Sequence, residues 1–235
     1  MMADFPVIAI TGIDTDIGKT VATGLLGRWL LGQGKRVITQ KLVQTGCGGR
    51  TADDILVHRR LMGQELQPED HQGLTCPYVF AKACSPHLAA SLAGQEIDPA
   101  LIRQATRTLA ARYELVLLEG AGGLHVPLTA ELTLLDYLEQ EGYPLIVVSS
   151  PRLGSINHTL SVLELCRNRG LSVLGILYNR YQESDPVISR DSAQLFSSYL
   201  RRYGYRDSVI DLFGVEEYDR GQRDLDFSSL FRCRC

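Results

Sequence analysis

The chain has little net charge, no long apolar run and few closely spaced cysteines. Its 235 residues include 24 Lys and Arg against 27 Asp and Glu, a formal net charge of −3. This balance gives no reason to expect a nucleic acid or a membrane surface as a partner. No apolar stretch approaches the roughly 20 residues that span a bilayer. The first residues do not form a charged-then-apolar secretion signal. We therefore expect a cytoplasmic protein.

Six cysteines are scattered along the chain, and only Cys233 and Cys235 lie close together. A metal or redox role for this pair is one interpretation. Since no second Cys or His pair lies nearby, frayed terminal thiols are the favoured one. In a reducing compartment the remaining cysteines are expected to be small buried apolar residues.

Apolar strand patterns alternate with helical patterns over most of the chain. The predicted strands are Val7–Ile10, Val37–Leu42, Leu115–Leu118, Leu145–Val148, Val173–Tyr178 and Val209–Leu212. The predicted helices are Lys19–Leu31, Ala52–Met62, Pro99–Tyr113, Leu132–Glu141, Asn157–Asn168 and Ser189–Tyr203. Continuous apolar strands separated by helices predict an α/β fold, a mainly parallel sheet with helices on both faces. No repeat or linker divides the chain, so a single domain over residues 1–235 is expected.

Several residues mark helix ends. Asp98-Pro99 predicts an N-cap followed by the first helical residue, and Gly32, Gly142 and Gly170 predict C-terminal stops. Ser85-Pro86-His87 predicts the start of one more helix. His87 could belong to an active site, but a single His at a helix start is more often structural.

The strongest motif is a phosphate-binding loop. The apolar run 7–10 leads into Thr11-Gly12-Ile13-Asp14-Thr15-Asp16-Ile17-Gly18-Lys19-Thr20, a strand, a glycine-bounded loop and a helix start. Such a loop turns backbone N–H groups toward a phosphate. Lys19 would reach the β- and γ-phosphates and Thr20 would ligate Mg²⁺. Five residues separate Gly12 from Gly18, one more than in the usual P-loop, so we interpret the motif as a lengthened variant.

Unusual polar residues follow other predicted strands, where the functional loops of a parallel sheet lie. Lys41 would extend toward the same crevice and help to neutralise a moving phosphoryl group, unless it is only a solvated lysine at a strand end. Glu119 precedes Gly120-Ala121-Gly122-Gly123 and is well placed to hold Mg²⁺, or else to cap the following turn.

Two further segments have a structural and a functional interpretation. Thr51-Ala52-Asp53-Asp54 predicts a capping box with Thr51 as N-cap and Asp54 at its third position, which leaves Asp53 to face a metal. Gly154-Ser155-Ile156-Asn157 precedes a helix and offers N–H, hydroxyl and amide groups to an anion, although a plain N-cap explains it as well.

Together these residues resemble the dethiobiotin synthase family. The matching segments are the five-residue-spaced loop from Thr11 to Thr20, Lys41 with Val43 and Thr45-Gly46, Ser85-Pro86-His87, Glu119–Gly123 with Pro127-Leu128, and Leu153–His158. The likeness extends to about Asn179. The segment Asp211–Glu216 departs from the family's pattern near the base, and Cys84 replaces a commonly hydroxylated residue.

The resemblance implies a homodimeric ATP-dependent ligase with a P-loop NTPase-like fold. Its substrates would be 7,8-diaminononanoate and CO₂, and its cofactors ATP and Mg²⁺. A carbamate forms on one amine, ATP phosphorylates it, and the second amine closes a ureido ring.

Carried over by position, the resemblance also implies residue roles. Lys19 and Lys41 would be catalytic, and Thr20, Asp53 and Glu119 would surround Mg²⁺. The nucleotide would contact Asp16, Ile17, Gly18, Lys19, Thr20, Val21, Asp53, Glu119, Gly120, Ala121, Gly122, Asn179 and Arg180. The diamine substrate would contact Thr15 and Thr45, and its carboxylate would dock across the dimer interface on Gly154, Ser155 and Asn157.

Two other functions remain open from the residues. A cobyrinate-type amide ligase would share the phosphate loop, but it normally needs an ammonia source. A partitioning-type nucleotide-switch ATPase would typically carry an extra lysine early in the loop, and positions 13–17 contain none.

Overall fold

The computed structural model describes residues 5–181, 183 and 185–231. Its strands are β1 (Val7–Gly12), β2 (Val37–Lys41), β3 (Gln44–Thr45), β4 (Val79–Phe80), β5 (Leu115–Gly123), β6 (Leu145–Ser149), β7 (Val173–Asn179) and β8 (Val209–Leu212). Six of them form a parallel sheet in the order β2-β5-β1-β6-β7-β8, while β3 and β4 pair separately. All six predicted strands are therefore present.

Helices connect the strands. They are α1 (Lys19–Gly32), α2 (Asp53–Met62), α3 (Pro68–His71), α4 (Pro86–Leu92), α5 (Pro99–Ala110), α6 (Leu134–Glu141), α7 (Ser155–Asn168), α8 (Pro186–Arg202) and α9 (Val215–Asp219), with a 3₁₀ turn at Ser228–Leu230. The side chain of Asp98 caps α5 as predicted. The predicted stop at Gly32 is wrong, since that residue is the last of α1 and the left-handed glycine after it is Gly34.

The sheet is covered on both faces because its central strands alternate side chains between two apolar layers. Along β1, Val7 and Ala9 join the cluster that includes α5 to α8. Ile8 and Ile10 join a second cluster that includes α1 and the C-terminal segment. This arrangement confirms the predicted α/β class.

The C-terminal segment packs against the second apolar layer. The ring of Trp29 lies 5.8 Å from that of Phe227 and 5.7 Å from that of Phe231. The tail pair Cys233 and Cys235 lies outside the described residues. Cys47, Cys76 and Cys166 are buried free thiols, as expected, and Cys84 is a half-buried one.

The carboxyl edge of the sheet brings the predicted strand-end residues together. In the parallel register Glu119 of β5 lies beside Lys41 of β2 on one side and beside Ile10 of β1 on the other. β5 continues to Gly123, beyond the predicted end at Leu118, because Gly123 pairs with Gly12 after a register shift. Within the described part of the chain, no helix is both long enough and apolar enough to pass through a membrane.

Candidate active site

The loop between β1 and α1 presents an uncapped helix N-terminus. Gly18 is the N-cap of α1 with φ 95°, and no side chain caps this helix. Asp16 is also left-handed, with φ 55°. A Cβ at residue 18 would be strained and would collide with the Asn179 amide. The loop therefore needs glycine here, and it leaves the first amides of α1 free to bind an anion.

Lys19 bends back over this loop. Its Nζ donates a hydrogen bond to the backbone oxygen of Asp14 at 2.7 Å, and the side chain is buried. Burial and the nearby charge of Lys41 lower the pKa of Lys19 to about 8, although Glu119 and other carboxylates oppose this shift. Lys19 is thus an ammonium group held where extra negative charge would stabilise it.

Lys41 lies in a buried cluster of opposite charges. Its Nζ is 2.8 Å from Glu119 Oε1, 2.7 Å from Asp54 Oδ2 and 3.1 Å from the carbonyl oxygen of Gly120. Burial alone would lower the pKa of Lys41, but Glu119 and Asp54 outweigh it and hold this pKa above its ordinary value. Lys41 is therefore a fixed cation at the strand edge and not a solvated lysine.

Glu119 is the centre of this cluster. Burial alone would raise its pKa, but Lys41 and His58 hold the pKa well below the usual range. The Thr20 hydroxyl donates to Glu119 Oε1 at 3.1 Å, and His58 Nε2 lies 2.8 Å from Oε2. Hydroxyl and carboxylate oxygens are the donors that Mg²⁺ takes, usually one or two from protein with phosphate oxygens and water. Thr20 and Glu119 thus fit a Mg²⁺ site shared with a nucleotide.

The start of α2 differs from the predicted capping box. Its N-cap is Ala52, with no side-chain cap, so the assignment of Thr51 and Asp54 to a capping box is wrong. Asp54 instead faces inward and pairs with Lys41, because Gln44 Oε1 accepts the Asp54 N–H at 3.3 Å and holds this turn near the cluster. Asp53 is exposed and has no ion-pair partner among the described residues. A metal-binding role for Asp53 stays a prediction.

A cavity of about 360 Å³ adjoins the phosphate loop. The residues lining it are Asp16, Ile17, Gly18, Val21, Ser150, Pro151, Arg152, Asn179, Tyr181, Phe213, Gly214, Val215 and Glu216. Asn179 Nδ2 donates to the Ile17 carbonyl oxygen at 2.9 Å, which fixes the amide beside the loop. The segment 213–216, where the sequence departs from the family's pattern, forms one wall.

Arg180 does not line this cavity. Its guanidinium donates to Asp211 at 2.8 Å, pairs with Glu183 and lies 5.7 Å from the ring of Phe213. These carboxylates hold the pKa of Arg180 above its ordinary value, against the effect of burial. The guanidinium is thus paired and lies beside the Phe213 wall of the cavity, and a nucleotide contact of Arg180 stays a prediction.

The glycine-rich end of β5 lies across from the phosphate loop. A Cβ at Gly120 would stand 2.7 Å from Leu134 Cδ2, and Gly122 has φ 66°. Ala121 is half-buried between them. The predicted substrate residue Thr15 has its Oγ1 3.7 Å from where a Cβ of Gly122 would lie. Thr45, the second predicted substrate residue, is the last residue of β3 and is half-buried.

The predicted anion-binding turn forms the start of α7. The helix begins at Ser155, two residues before the predicted start, with Gly154 as a left-handed N-cap. Ser155 Oγ hydrogen-bonds Ser150 Oγ at 3.2 Å, so it is turned inward. Asn157 is exposed, and no side chain caps the helix. At the start of α4, His87 is exposed.

Comparison with known proteins defines the family. A model described as "AAA domain" matches residues 7–209. ATP-dependent dethiobiotin synthetase BioD of Chlorobaculum tepidum is 54% identical over 207 residues, covering 88% of this chain and 86% of that protein. BioD 2 of Haemophilus influenzae is 57% identical, covering 77% and 95%, and BioD 2 of Pasteurella multocida is 51% identical, covering 89% and 99%.

The chain belongs to the dethiobiotin synthetase family. The predicted resemblance is confirmed, and relatives at this identity do not favour the amide-ligase or partitioning-ATPase alternatives.

Comparison with solved structures supports the same fold. This chain is similar to pNOB8 ParA in its complex with nonspecific DNA, with a TM-score of 0.54 and 14% identity, covering 87% of this chain and 78% of that one. It is also similar to a ParA family ATPase from Chlorobium tepidum, with a TM-score of 0.51 and 14% identity, covering 90% and 87%. At this identity the likeness extends to the fold alone.

Sequence reasoning missed two side chains of the cluster. Asp54 was assigned to the helix cap, and His58 was not singled out. The two are four residues apart on α2, so they share one face of the helix. That spacing was the available signal, and it becomes informative only once α2 is known to face the end of β5.

Proposed function

We propose that this chain is an ATP-dependent cyclo-ligase that makes dethiobiotin from 7,8-diaminononanoate and CO₂, with release of ADP and phosphate. The observation that carries the proposal is the buried cluster of Lys41, Glu119 and Thr20 directly beside the Lys19 loop. This edge holds two ammonium groups and a pair of oxygen donors where a triphosphate would meet an anionic acceptor.

The reaction follows from the charges of the substrates. One amine of the diamine adds to CO₂ and loses a proton, giving a carbamate. A carbamate oxygen then attacks the γ-phosphorus of ATP, and ADP leaves. The second amine attacks the carbamate carbon, closes the ureido ring and expels phosphate, which keeps the carbamate oxygen.

Lys19 and Lys41 are the proposed catalytic residues. Carbamate and triphosphate are both anions, so they approach each other only where cations offset their repulsion. Lys19 would move its ammonium group from the Asp14 carbonyl to the γ-phosphate. Its lowered pKa shows that the charged form is disfavoured without ligand, so the phosphate anion would stabilise that form. Lys41, held by Glu119 and Asp54, would orient the carbamate.

Thr20, Asp53 and Glu119 are the proposed holders of Mg²⁺. Asp54 is occupied by Lys41, which leaves Asp53 as the free carboxylate of the first turn of α2. Bound Mg²⁺ would neutralise charge on the phosphate oxygens and orient the γ-phosphoryl group.

The nucleotide would lie along the loop and the neighbouring cavity. Asp16 to Val21 would cradle the phosphates, Gly120 to Gly122 would allow close backbone approach, and Asn179 would contact adenine. Supporting this, Asp16, Val21 and Asn179 all line the cavity of about 360 Å³ beside the loop. Arg180 would contact the nucleotide beside Asn179, next to the Phe213 wall that its side chain adjoins.

The diamine would bind between Thr15 and Thr45, with its carboxylate on Gly154, Ser155 and Asn157 of a second subunit. We propose a homodimer for this reason. Gly154 and Asn157 are exposed, and the neighbouring Leu153 is a fully exposed apolar side chain. We also propose a cytoplasmic location, which suits an enzyme with four free cysteines among its described residues.

The proposed function is tested by an assay with ATP, Mg²⁺, bicarbonate and the diamine that follows phosphate and ureido product together. We expect equal amounts of both, and no phosphate without the diamine. Phosphate release that ignores the diamine would indicate a switch ATPase and would overturn the proposal.

The composite site is tested by mixing Lys19→Met, which should be inactive, with Asn157→Ala, which should be impaired at diamine concentrations far below its KM. Lys19→Met leaves the dock intact, and Asn157→Ala leaves the lysine intact, so a mixed dimer contains one complete site. After subunit exchange about a quarter of all sites should recover activity at low diamine concentration, as the symmetry of a dimer requires. No recovery, or an active monomer in light scattering, would refute the shared site.

A further inference from the structure

His58 is a buried polar side chain with one hydrogen-bond partner among the described residues. It lies on α2 with 0% exposure, and its Nε2 is 2.8 Å from Glu119 Oε2. The other oxygen of Glu119, Oε1, contacts Thr20 and Lys41. The two oxygens of one carboxylate are thus held by different elements, Oε2 by α2 and Oε1 by the start of α1 and the end of β2.

The hydrogen-bonding pattern fixes the role of the ring. An ionised carboxylate only accepts hydrogen bonds, so Nε2 must be the donor. His58 Nδ1 is buried and has no hydrogen-bond partner in the described part of the chain. Among the described residues, the ring therefore hydrogen-bonds only to Glu119. Burying Nδ1 without a partner costs free energy, and this one hydrogen bond is the polar contact that the ring makes in return.

Other elements could not replace this contact. Lys41 and Thr20 both bind Oε1, so without His58 the Oε2 atom would be buried with no partner given by the structure. A carboxylate held at one oxygen can rotate about its last bond. A metal ligand that rotates loses affinity, because it must be reoriented each time the ion binds.

We propose that His58 is a positioning residue, whose Nε2–H holds Oε2 of Glu119 so that Oε1 faces Thr20 and a divalent ion. This inference rests on the proposed function, in which Glu119 holds Mg²⁺. His58 acts through Glu119 and does not touch substrate.

The test measures Mn²⁺ affinity of the ADP-bound protein by the paramagnetic resonance signal of free Mn²⁺. His58→Leu and His58→Met remove the donor, whereas His58→Gln keeps an N–H at a similar reach. His71→Leu, at an exposed histidine, is the matched control. ADP affinity without metal is measured for every variant, and thermal unfolding identifies any that fail to fold.

We expect His58→Leu and His58→Met to weaken Mn²⁺ binding by about 10- to 100-fold, the usual effect of losing a partner of a metal ligand. Metal-free ADP affinity should be unchanged, and His58→Gln and His71→Leu should bind Mn²⁺ like the wild type. If only one of the two apolar variants folds, that variant decides.

The outcomes distinguish a failure of the His58 role from a failure of the proposed metal site at Glu119. Wild-type Mn²⁺ affinity in the apolar variants, with affinity lost in Glu119→Gln, would overturn the role of His58 and leave the metal site standing. Equal losses in His58→Gln and His58→Leu would also overturn it, because the donor would then be irrelevant. Wild-type affinity in Glu119→Gln would overturn the metal assignment itself.

Discussion

Replacing Lys41 by Met should destabilise the protein and strongly slow ring closure, because both depend on the same buried cation. The change removes a cation that lies 2.8 Å from Glu119 and 2.7 Å from Asp54, and it leaves Glu119 as a buried carboxylate. Removing one partner of a buried ion pair typically costs about 3–5 kcal/mol. In a chain of this size that loss lowers Tm by about 6–20 °C.

The loss should depend on pH in a stated direction. The pKa of Glu119 is depressed in the folded state, so its stabilisation is present above its ordinary value of 4.5 and is lost as pH falls toward the folded value. The pKa of Lys41 is raised, so its stabilisation is present below its ordinary value of 10.5 and is lost as pH rises through the folded value. The deficit of Lys41→Met is therefore largest between these two values and shrinks below pH 4.5.

The assay is denaturant unfolding without nucleotide, on wild type, Lys41→Met, Glu119→Gln and the double variant. Because the double variant carries no unpaired charge at these two positions, its loss should be smaller than the sum of the single losses by about 0.5–3 kcal/mol. Lys35→Met is the matched control, since Lys35 pairs with Glu114 at the surface and should cost less than about 1 kcal/mol. Additive losses, or a Lys41→Met deficit equal to that of the control, would refute the reasoning.

The same variant tests the chemistry. Lys41→Met should still bind ATP, since the phosphate loop and the cavity are untouched. Losing one preorganised charge of this kind typically lowers kcat by about 10²–10³-fold. Turnover within a few-fold of the wild type would contradict the catalytic role of Lys41.

Three further predictions concern other parts of the site. Because the pKa of Lys19 is about 8 without nucleotide, ATP affinity should fall about tenfold per pH unit above that value. Calorimetric titrations at a series of pH values measure this, and an ATP affinity that stays constant to about pH 10 would refute the prediction. Gly18→Ala, at φ 95°, should lower the free energy of unfolding by about 1–3 kcal/mol and weaken ATP binding. The control Gly32→Ala should not destabilise the protein, because a Cβ there would have no neighbouring atom within 4 Å. Equal unfolding midpoints for the two variants would contradict the role of Gly18. Asn157→Ala should raise KM for the diamine about tenfold with kcat unchanged, and an unchanged KM would count against the carboxylate dock.

The sequence predicted the fold because local signals and the fold agreed. Continuous apolar strands could be stable only inside a sheet covered on both faces, and the two apolar layers along β1 show this arrangement. Caps such as Asp98 required no tertiary information. The short strands β3 and β4 carried too few residues for a periodic pattern, and the extension of β5 through its glycines depended on pairing with Gly12.

The site was predictable up to the point where side chains from distant segments meet. Lys19, Lys41, Thr20 and Glu119 were selected from motifs and strand ends, and the structure brings Thr20 and Lys41 into contact with Glu119. The difference between Asp53 and Asp54 did not follow, because it depends on which face of α2 turns toward Lys41. The helix begins at Asp53, one residue later than a cap at Thr51 requires, and in this register Asp54 is the residue that turns toward Lys41.

The same limit applies to the side of the site where we propose that the base binds. Phe213 to Glu216 lie outside the family model's matched range, yet they form a wall of the cavity. In the sequence they were marked only by their departure from the family's pattern near the base. Arg180 follows Asn179 in sequence and its guanidinium pairs with Asp211 and Glu183, so its contact with a nucleotide stays a prediction.

The most direct test of the central claim, that ATP phosphorylates a carbamate beside Lys41, is the fate of a labelled oxygen. In a rapid single turnover with ¹⁸O-labelled CO₂ in ordinary water, the account predicts inorganic phosphate carrying one labelled oxygen, because phosphate leaves with the carbamate oxygen when the ring closes. Phosphate without label, formed while ureido product appears, would show that water or another acceptor receives the phosphoryl group, and it would contradict the account.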